Sequence, residues 1–193
     1  MKKHLNMNTL YLAAAIIAVS AFMLPRVIEA VNLHLNGISY IADQTEEYYK
    51  ITEPVEGEYT VELDLNNLEN NEGKILYDDG DSQISVMKVV EQEEMGYEVV
   101  FRSHAKELPD GAVLVSGIAH DYTQDGSTHS IEAEATAGKD AHQLSPSTAT
   151  GLSYKDGDHF GFYLDAPAED ADKVAVTVTN LQLNLWMEKA IFE

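Results

Sequence analysis

The chain contains no cysteine, and this absence narrows the kinds of protein it can be. Disulfide bonds cannot form, although small exported domains commonly depend on them. Thiol nucleophiles and thiolate metal sites are excluded for the same reason. We also expect no lipoprotein anchor, because that anchor requires an acylated cysteine near the end of the signal.

Basic side chains are scarce as well. The sequence has 12 lysine and arginine residues against 33 aspartate and glutamate residues, for a net charge of −21. Such a surface repels the phosphates of nucleic acids and anionic lipid head groups, so we expect no nucleic-acid partner. Two interpretations of the acidity stay open: a surface for cationic partners or divalent ions, and solubility in a salty or alkaline exterior.

Long apolar runs are absent except near the N-terminus. Lys2 and Lys3 precede an uncharged run from Leu10 to Leu24, and the small residue Ala30 follows. This order is the layout of a secretory signal. The run is shorter than the roughly 20 residues that a membrane-spanning helix needs. We therefore predict a signal peptide over residues 1–30, cleaved after Ala30.

The alternative is an uncleaved anchor that crosses the membrane through residues 9–24. Arg26, which follows the apolar run, and Glu29, which lies beside the proposed cleavage site, favour that alternative. Both interpretations place residues 31–193 outside the cytoplasm, secreted or on the cell surface, because positive charge is retained on the cytoplasmic side. The length of residues 31–193 is typical of a single domain.

Strand patterns dominate this region. Apolar and polar residues alternate over residues 31–41 and 58–65, and Asp-Gly pairs at 79–80, 125–126 and 156–157 predict three hairpins. We therefore predict an all-β fold, an antiparallel β-sandwich of Ig-like or jelly-roll type, preceded by the N-terminal signal or anchor helix.

The last predicted strand changes register. Its apolar side chains occupy even positions up to Val178 and odd positions from Leu181. A shift of one residue moves every following side chain to the opposite face of a sheet. A bulge, or a crossing from one sheet to another, is therefore expected near residues 179–180.

Two histidines on the second hairpin form a candidate transition-metal site. If residues 125–126 are the whole loop, Tyr122 is paired with His129, and His120, Tyr122 and His129 share one face. A histidine pair suits Zn or Cu. The third ligand would come from Asp121, His142 or His159. The competing interpretation is a polar cluster that closes one end of the core.

Acidic turns form a candidate calcium site. The carboxylates concerned are Asp78, Asp79 and Asp81 in one turn, and Asp156 and Asp158 in another. Calcium takes six to eight oxygen ligands, which such loops can supply. Neither segment matches the EF-hand pattern, and Asp-Gly is also an ordinary hairpin turn. Apart from a metal ion at one of these candidate sites, calcium above all, we predict no cofactor.

Motifs of the common enzyme classes are missing. The sequence has no Gly-x-Ser-x-Gly, no His-Glu-x-x-His and no Gly-rich phosphate loop, so we predict no catalytic and no cofactor-binding residues. Aromatic side chains provide either a sugar-stacking platform or ordinary packing at strand ends. These residues are Tyr48, Tyr49, Tyr154, Tyr163 and Trp186.

The sequence thus favours a non-enzymatic binding or structural protein outside the cytoplasm, with a protein or carbohydrate partner. One version is self-assembly into a homo-oligomer or filament, in which residues 31–41 add as a strand to a neighbouring copy. The competing interpretation pairs that strand within its own domain. Alternatives from other classes are an extracytoplasmic hydrolase that cleaves polysaccharide with a carboxylate pair, and a membrane-anchored sensor domain.

Overall fold

The computed structural model describes residues 7–92, 96–123, 126–152, 155–165 and 172–189. Two helices come first, α1 (Met7–Asn36) and α2 (Ile38–Ala42), and a 3-10 turn covers Leu68–Asn71. The strands within the described residues are β1 (Tyr48–Val55), β2 (Tyr59–Asp64), β3 (Ile75–Asp78), β4 (Gln83–Gln92), β5 (Gly96–His104), β6 (Lys106–Leu108), β7 (Gly111–Ser116), β8 (Ile118–Thr123), β9 (Gly126–Ile131), β10 (Glu134–Ala137), β11 (His142–Gln143), β12 (Ser145–Ala149), β13 (Gly157–Leu164), β14 (Lys173–Thr179) and β15 (Leu181–Glu188).

These strands form antiparallel sheets. The helix-side sheet has the order β1-β15-β7-β6, the narrow sheet β11-β10-β14-β2 and the wide sheet β12-β13-β5-β4-β3, while β8 and β9 pair as a separate hairpin. The predicted antiparallel β fold behind an N-terminal apolar helix is confirmed. The Ig-like or jelly-roll strand order stays a prediction.

The main core joins the narrow and wide sheets. Alternation buries Val61 and Leu63 on β2 and Val176 and Val178 on β14. They belong to one hydrophobic cluster with residues of the wide sheet, including Ile84, Val86, Val99, Phe101, Phe160 and Phe162. Burial of each such side chain contributes about 1.5–3 kcal/mol, so this cluster is a main source of stability.

The strand predicted for residues 31–41 is wrong, because this segment is helical. The apolar residues that become buried are Ile38 and Ile41, three positions apart on one face of α2. Gly37 separates the helices with φ +61, and a Cβ there would lie 1.6 Å from the Lys155 carbonyl oxygen. That carbonyl accepts a hydrogen bond from the Ile38 N–H at 3.0 Å. Strand donation from residues 31–41 therefore loses its structural basis.

Helix α1 continues well beyond the predicted signal. It passes through Pro25 and ends at Asn36, and the side chains of residues 7–28 are exposed. By length and composition it can cross a membrane, and a signal sequence near an N-terminus meets the same criteria. The structure is therefore compatible with both the signal and the anchor.

The three Asp-Gly hairpins have different outcomes. Residues 79–80 lie in the turn between β3 and β4, so this hairpin is confirmed. The other two pairs of consecutive strands, β8 with β9 and β12 with β13, are also antiparallel. Their predicted two-residue Asp-Gly turns are wrong, because Gly126 and Gly157 are the first residues of β9 and β13. A Cβ on Gly157 would lie 1.9 Å from the Ser103 carbonyl oxygen, so this glycine permits close pairing of β13 with β5.

The predicted crossing from one sheet to another near residues 179–180 is confirmed, but the predicted change of the buried face is wrong. Asn180, with φ +53, joins β14 of the narrow sheet to β15 of the helix-side sheet. The buried face of β15 nevertheless carries Gln182, Asn184 and Trp186, whereas Met187 is 43% exposed. The even positions therefore face inward, contrary to what the leucine pattern indicates.

Candidate functional site

A cleft lies between the β8–β9 hairpin, α2 and the inner face of the helix-side sheet. Its narrow part has a volume of about 180 Å³ and is lined by residues that include Lys50, His120, Asp121, His129 and Trp186. A wider cavity of about 490 Å³ adjoins it and shares four of these residues. We call the two cavities together the histidine cleft.

A buried carboxylate lies behind this cleft. Asp158, near the start of β13, is fully buried. Its Oδ1 accepts a hydrogen bond from Ser116 Oγ at 2.8 Å, and its Oδ2 lies 2.6 Å from His120 Nε2. A carboxylate only accepts hydrogen bonds, so His120 Nε2 carries the proton and the Nδ1 atom of a neutral ring keeps its lone pair.

The backbone of His120 is also held from the helix-side sheet. Asn184 on β15 accepts a hydrogen bond from the His120 N–H at 3.0 Å and donates one to the Ile118 carbonyl oxygen at 2.9 Å. Thr52 Oγ1 donates to the His120 carbonyl oxygen at 3.3 Å. Asn184 is itself fully buried. Together with the bond to Asp158 on the wide sheet, these bonds from the helix-side sheet fix His120 in position.

Gly117 explains how the chain reaches this arrangement. It separates β7 from β8, and a Cβ there would lie 2.5 Å from the Phe160 ring. Its carbonyl oxygen accepts hydrogen bonds from the Glu132 and Ala133 N–H groups at 3.0 and 3.1 Å. The chain therefore breaks between β7 and β8, and β8 leaves the helix-side sheet to form the hairpin.

The two predicted histidines face each other directly. The predicted pairing of Tyr122 with His129 is wrong, because Tyr122 pairs with Ser127 and His120 pairs with His129. The register is shifted by two residues, since Thr123 pairs with Gly126. Residues 124–125, which include Asp125 of the predicted turn, lie outside the described residues. The ring centroids of His120 and His129 are 6.5 Å apart, with a 37° angle between the planes.

The proposed third ligands do not complete this pair. Asp121 lines the cleft, but its carboxylate lies 3.8 Å from Lys50 Nζ. His142 lies on β11, at the edge of the narrow sheet, and His159 lies on β13 of the wide sheet. Burial lowers the pKa of His159. Within the described ranges, no group of three or more His, Asp or Glu side chains is arranged to hold a metal ion.

Lys50 adds a desolvated amine to the cleft. Its side chain is 19% exposed, and its Nζ is buried without a hydrogen-bond partner within the described part of the chain. Burial lowers the pKa of Lys50, while the nearby Asp121 carboxylate acts in the opposite direction. Lys50 is the cross-strand neighbour of Trp186 on the inner face of the helix-side sheet.

The predicted calcium turn at residues 78–81 is stabilised by its own hydrogen bonds. Asp79 Oδ1 accepts from the Asp81 and Ser82 N–H groups at 2.9 and 2.7 Å, and Asp79 Oδ2 accepts from the Tyr77 hydroxyl at 2.7 Å. Partial burial alone would raise the pKa of Asp79, but these bonds outweigh it and lower the pKa. The carboxylate thus acts as an internal acceptor of the turn.

The neighbouring carboxylates of this turn are engaged in the same way. Asp78 Oδ1 accepts a hydrogen bond from the Gly80 N–H at 2.9 Å, and Asp81 forms an ion pair with Lys106. Protein donors therefore occupy acceptor positions that a calcium ion would use. Calcium binding by Asp78, Asp79 and Asp81 stays a prediction.

The two carboxylates of the second predicted calcium turn bind different partners. Asp156 pairs with Arg102 at 3.0 Å and with His104 at 2.7 Å, whereas Asp158 binds His120. Desolvation acts to raise the pKa of Asp156, but its bonds to His104 and Arg102 lower it overall. Asp156 and Asp158 thus serve separate polar clusters.

The structure brings together part of the predicted aromatic platform: Tyr48, Tyr49 and Trp186 line one cavity of about 300 Å³. Trp186 is only 2% exposed there, whereas Tyr49 is 59% exposed. Tyr163 is on the wide sheet, and Tyr154 lies outside the described residues.

Asp158 and Asn184 are the polar residues of the site that sequence reasoning missed as partners of His120. The available signal was a polar side chain at each even position of a leucine-rich strand, Gln182 and Asn184.

No protein-family model matches the sequence, and no curated protein or solved structure matches it significantly. Function must therefore be inferred from the site itself.

Proposed function

We propose that this protein is an extracytoplasmic binding domain that stays tethered to a membrane by α1 and takes a small polar ligand in the histidine cleft. One observation carries the proposal: the apolar helix is physically joined to the cleft. Ile38 and Ile41 of α2 are buried in one cluster with Trp186, and Trp186 lines the cleft.

The tether is supported by the position of the predicted cleavage site. The bond between Ala30 and Val31 lies inside α1, which ends only at Asn36. Leu33 packs against the cluster of α2, and its carbonyl oxygen accepts a hydrogen bond from the Gly37 N–H at 2.7 Å. Proteases act most readily on exposed, irregular backbone, so cleavage here requires the helix to unwind.

The binding role is supported by the composition of the cleft. Ligand sites combine an apolar wall with a few convergent polar groups. Trp186 supplies such a wall, and Lys50, His120 and His129 supply nitrogen atoms. A narrow cavity of about 180 Å³ suits a small ligand rather than a peptide segment.

A polysaccharide hydrolase is less well supported. Its general acid must have a raised pKa to hold a proton at neutral pH. The described carboxyl groups whose pKa departs clearly from the ordinary value all shift downward: Glu62, Asp78, Asp79 and Asp156. These groups are therefore ionised, as acceptors of hydrogen bonds and ion pairs.

Cell fractionation of the full chain with a C-terminal tag tests the tether and the location. We expect the tag in the membrane fraction, resistant to alkaline carbonate, digested by protease added outside the cytoplasmic membrane, and attached to a chain that starts at Met1. A double substitution Ile16→Arg/Ile17→Arg is the control, because it should abolish membrane insertion. Soluble exported protein starting at Val31 would disprove the tether, and full-length cytosolic protein would disprove the location.

A further inference from the structure

We infer that the histidine cleft binds a divalent transition-metal ion of the zinc, nickel and copper class, with His120 and His129 as its protein ligands. The inference specifies the ligand of the proposed binding role and does not depend on the membrane tether. The sequence alone suggests the two histidines, and the structure adds three independent observations that favour a metal.

The first observation is the direct opposition of the two rings. Side chains paired across an antiparallel ladder have Cβ atoms about 4.5–5.5 Å apart. Two imidazoles that share one ion, with metal–nitrogen distances of about 2.0–2.1 Å, have centroids roughly 5–6 Å apart. The observed 6.5 Å is close to that range, and His129 is exposed, so a small rotation of its side chain suffices.

The second observation is the carboxylate behind His120. A histidine that ligates a metal usually donates its other ring N–H to a carboxylate, which orients the ring and makes the ligating nitrogen more basic. Asp158 stands in this relation to His120, at 2.6 Å, and is itself held by Ser116. This leaves the Nδ1 of His120 as the coordinating atom.

The third observation is the charge at the entrance. Asp121 and Glu132 line the wider cavity together with Lys50, which lies 3.8 Å from Asp121, so two carboxylates face one ammonium group there. The Asp121 side chain is 80% exposed. Carboxylates at the mouth of a cleft raise the local concentration of cations. The nitrogen ligands select the class of ion, because imidazole suits zinc, nickel and copper whereas calcium and magnesium take oxygen. Water or an added ligand would occupy the remaining coordination positions.

The protein contains a built-in reporter for this site. Trp186 is the single tryptophan of the sequence, and its ring centroid lies 6.3 Å from that of His120. Copper(II) quenches indole fluorescence at such short distances. Titration of the purified full chain with copper(II) chloride should quench Trp186 saturably at one equivalent. Zinc chloride should compete for the site, and a chelator should restore the fluorescence.

Three variants test the assignment. His129→Ala should weaken copper binding at least tenfold, because one of two imidazole ligands is lost. His142→Ala, at an exposed histidine on β11, is the matched control and should leave the titration unchanged. Asp158→Asn should weaken binding by about 10–100-fold, the usual effect of losing the carboxylate behind a ligating histidine.

Near-ultraviolet circular dichroism of each variant establishes that it is folded before titration, and His129→Gln replaces His129→Ala if the latter unfolds. Equal copper titrations of the His129 and His142 variants, or quenching that needs many equivalents, would overturn the metal site. That result would leave the membrane fractionation untouched, so failure of the metal site and failure of the tether are distinguishable.

Discussion

His120 donates its Nε2–H to the buried carboxylate of Asp158 across 2.6 Å, and this bond ties the β8–β9 hairpin to the wide sheet. The two residues are 38 positions apart in the chain. A buried carboxylate is tolerated only when its hydrogen bonds are satisfied, so the pair is a requirement of the fold as well as a part of the cleft.

Replacement of Asp158 should therefore destabilise the protein. Asp158→Ala leaves Ser116 and His120 without their common acceptor, and we expect a loss of about 2–4 kcal/mol in the free energy of unfolding. Urea denaturation followed by circular dichroism measures it. Asp165→Ala, an exposed residue just after β13, is the control and should change stability by less than about 0.5 kcal/mol. Equal midpoints for the two variants would contradict the role of Asp158.

Gly157 should tolerate no side chain. Gly157→Ala places a methyl group 1.9 Å from the Ser103 carbonyl oxygen and forces β13 away from β5. We expect a loss of about 3 kcal/mol or more, in line with severe overpacking. Gly151→Ala is the matched control, because its nearest contact is His129 Nδ1 at 3.6 Å, an ordinary distance. Thermal unfolding of both variants checks the expectation, which is refuted if Gly157→Ala melts with the wild type.

The turn at residues 78–81 should contribute stability that depends on acid pH. The pKa of Asp79 is lowered in the folded protein, so its contribution is complete above the unfolded pKa of about 3.9 and is lost as pH falls through the lower, folded pKa. The difference in unfolding free energy between wild type and Asp79→Asn should shrink as pH falls from about 5 to about 2. The group is largely solvent-exposed, so we expect less than about 1 kcal/mol.

Urea denaturation across that pH range measures this difference. Asp110→Asn, in the exposed turn between β6 and β7, serves as the comparison variant. A difference between wild type and Asp79→Asn that grows on acidification would reverse the sign of the argument and exclude the proposed cause.

The contact between α2 and the cleft should be visible through Trp186. Ile41→Ala removes a side chain that is 2% exposed and packs in the cluster of Trp186, so we expect a loss of about 2–4 kcal/mol and a red shift of tryptophan emission. Leu35→Ala, at a position 67% exposed on α1, should alter neither property. Unchanged emission in Ile41→Ala would show that α2 does not pack against Trp186.

The strand architecture could be predicted where local pattern and burial agree. Residues 59–64 alternate cleanly, and β2 buries Val61 and Leu63 as the pattern indicates. The same kind of pattern failed for residues 31–41, because a short alternating stretch is compatible with a helix when tertiary packing buries residues three apart, here Ile38 and Ile41.

The candidate site could be predicted only in part. The sequence placed His120 and His129 on one face of a hairpin, but the register depended on where the turn lies, and it shifted by two residues. Asp158 could not be assigned to His120, because the contact joins different sheets and no periodic pattern links the two. The same holds for Asn184, whose role follows from the crossing at Asn180.

Gly37 sets the orientation of the β-structure relative to α1. Gly37 adopts a left-handed backbone conformation, with φ +61. The Lys155 backbone packs so closely against it that any side chain at position 37 would displace that backbone. With α1 in a membrane, the junction at Gly37 would set the orientation of the histidine cleft relative to that helix. Substitution of this single residue would disturb the start of α2, which forms one wall of the cleft.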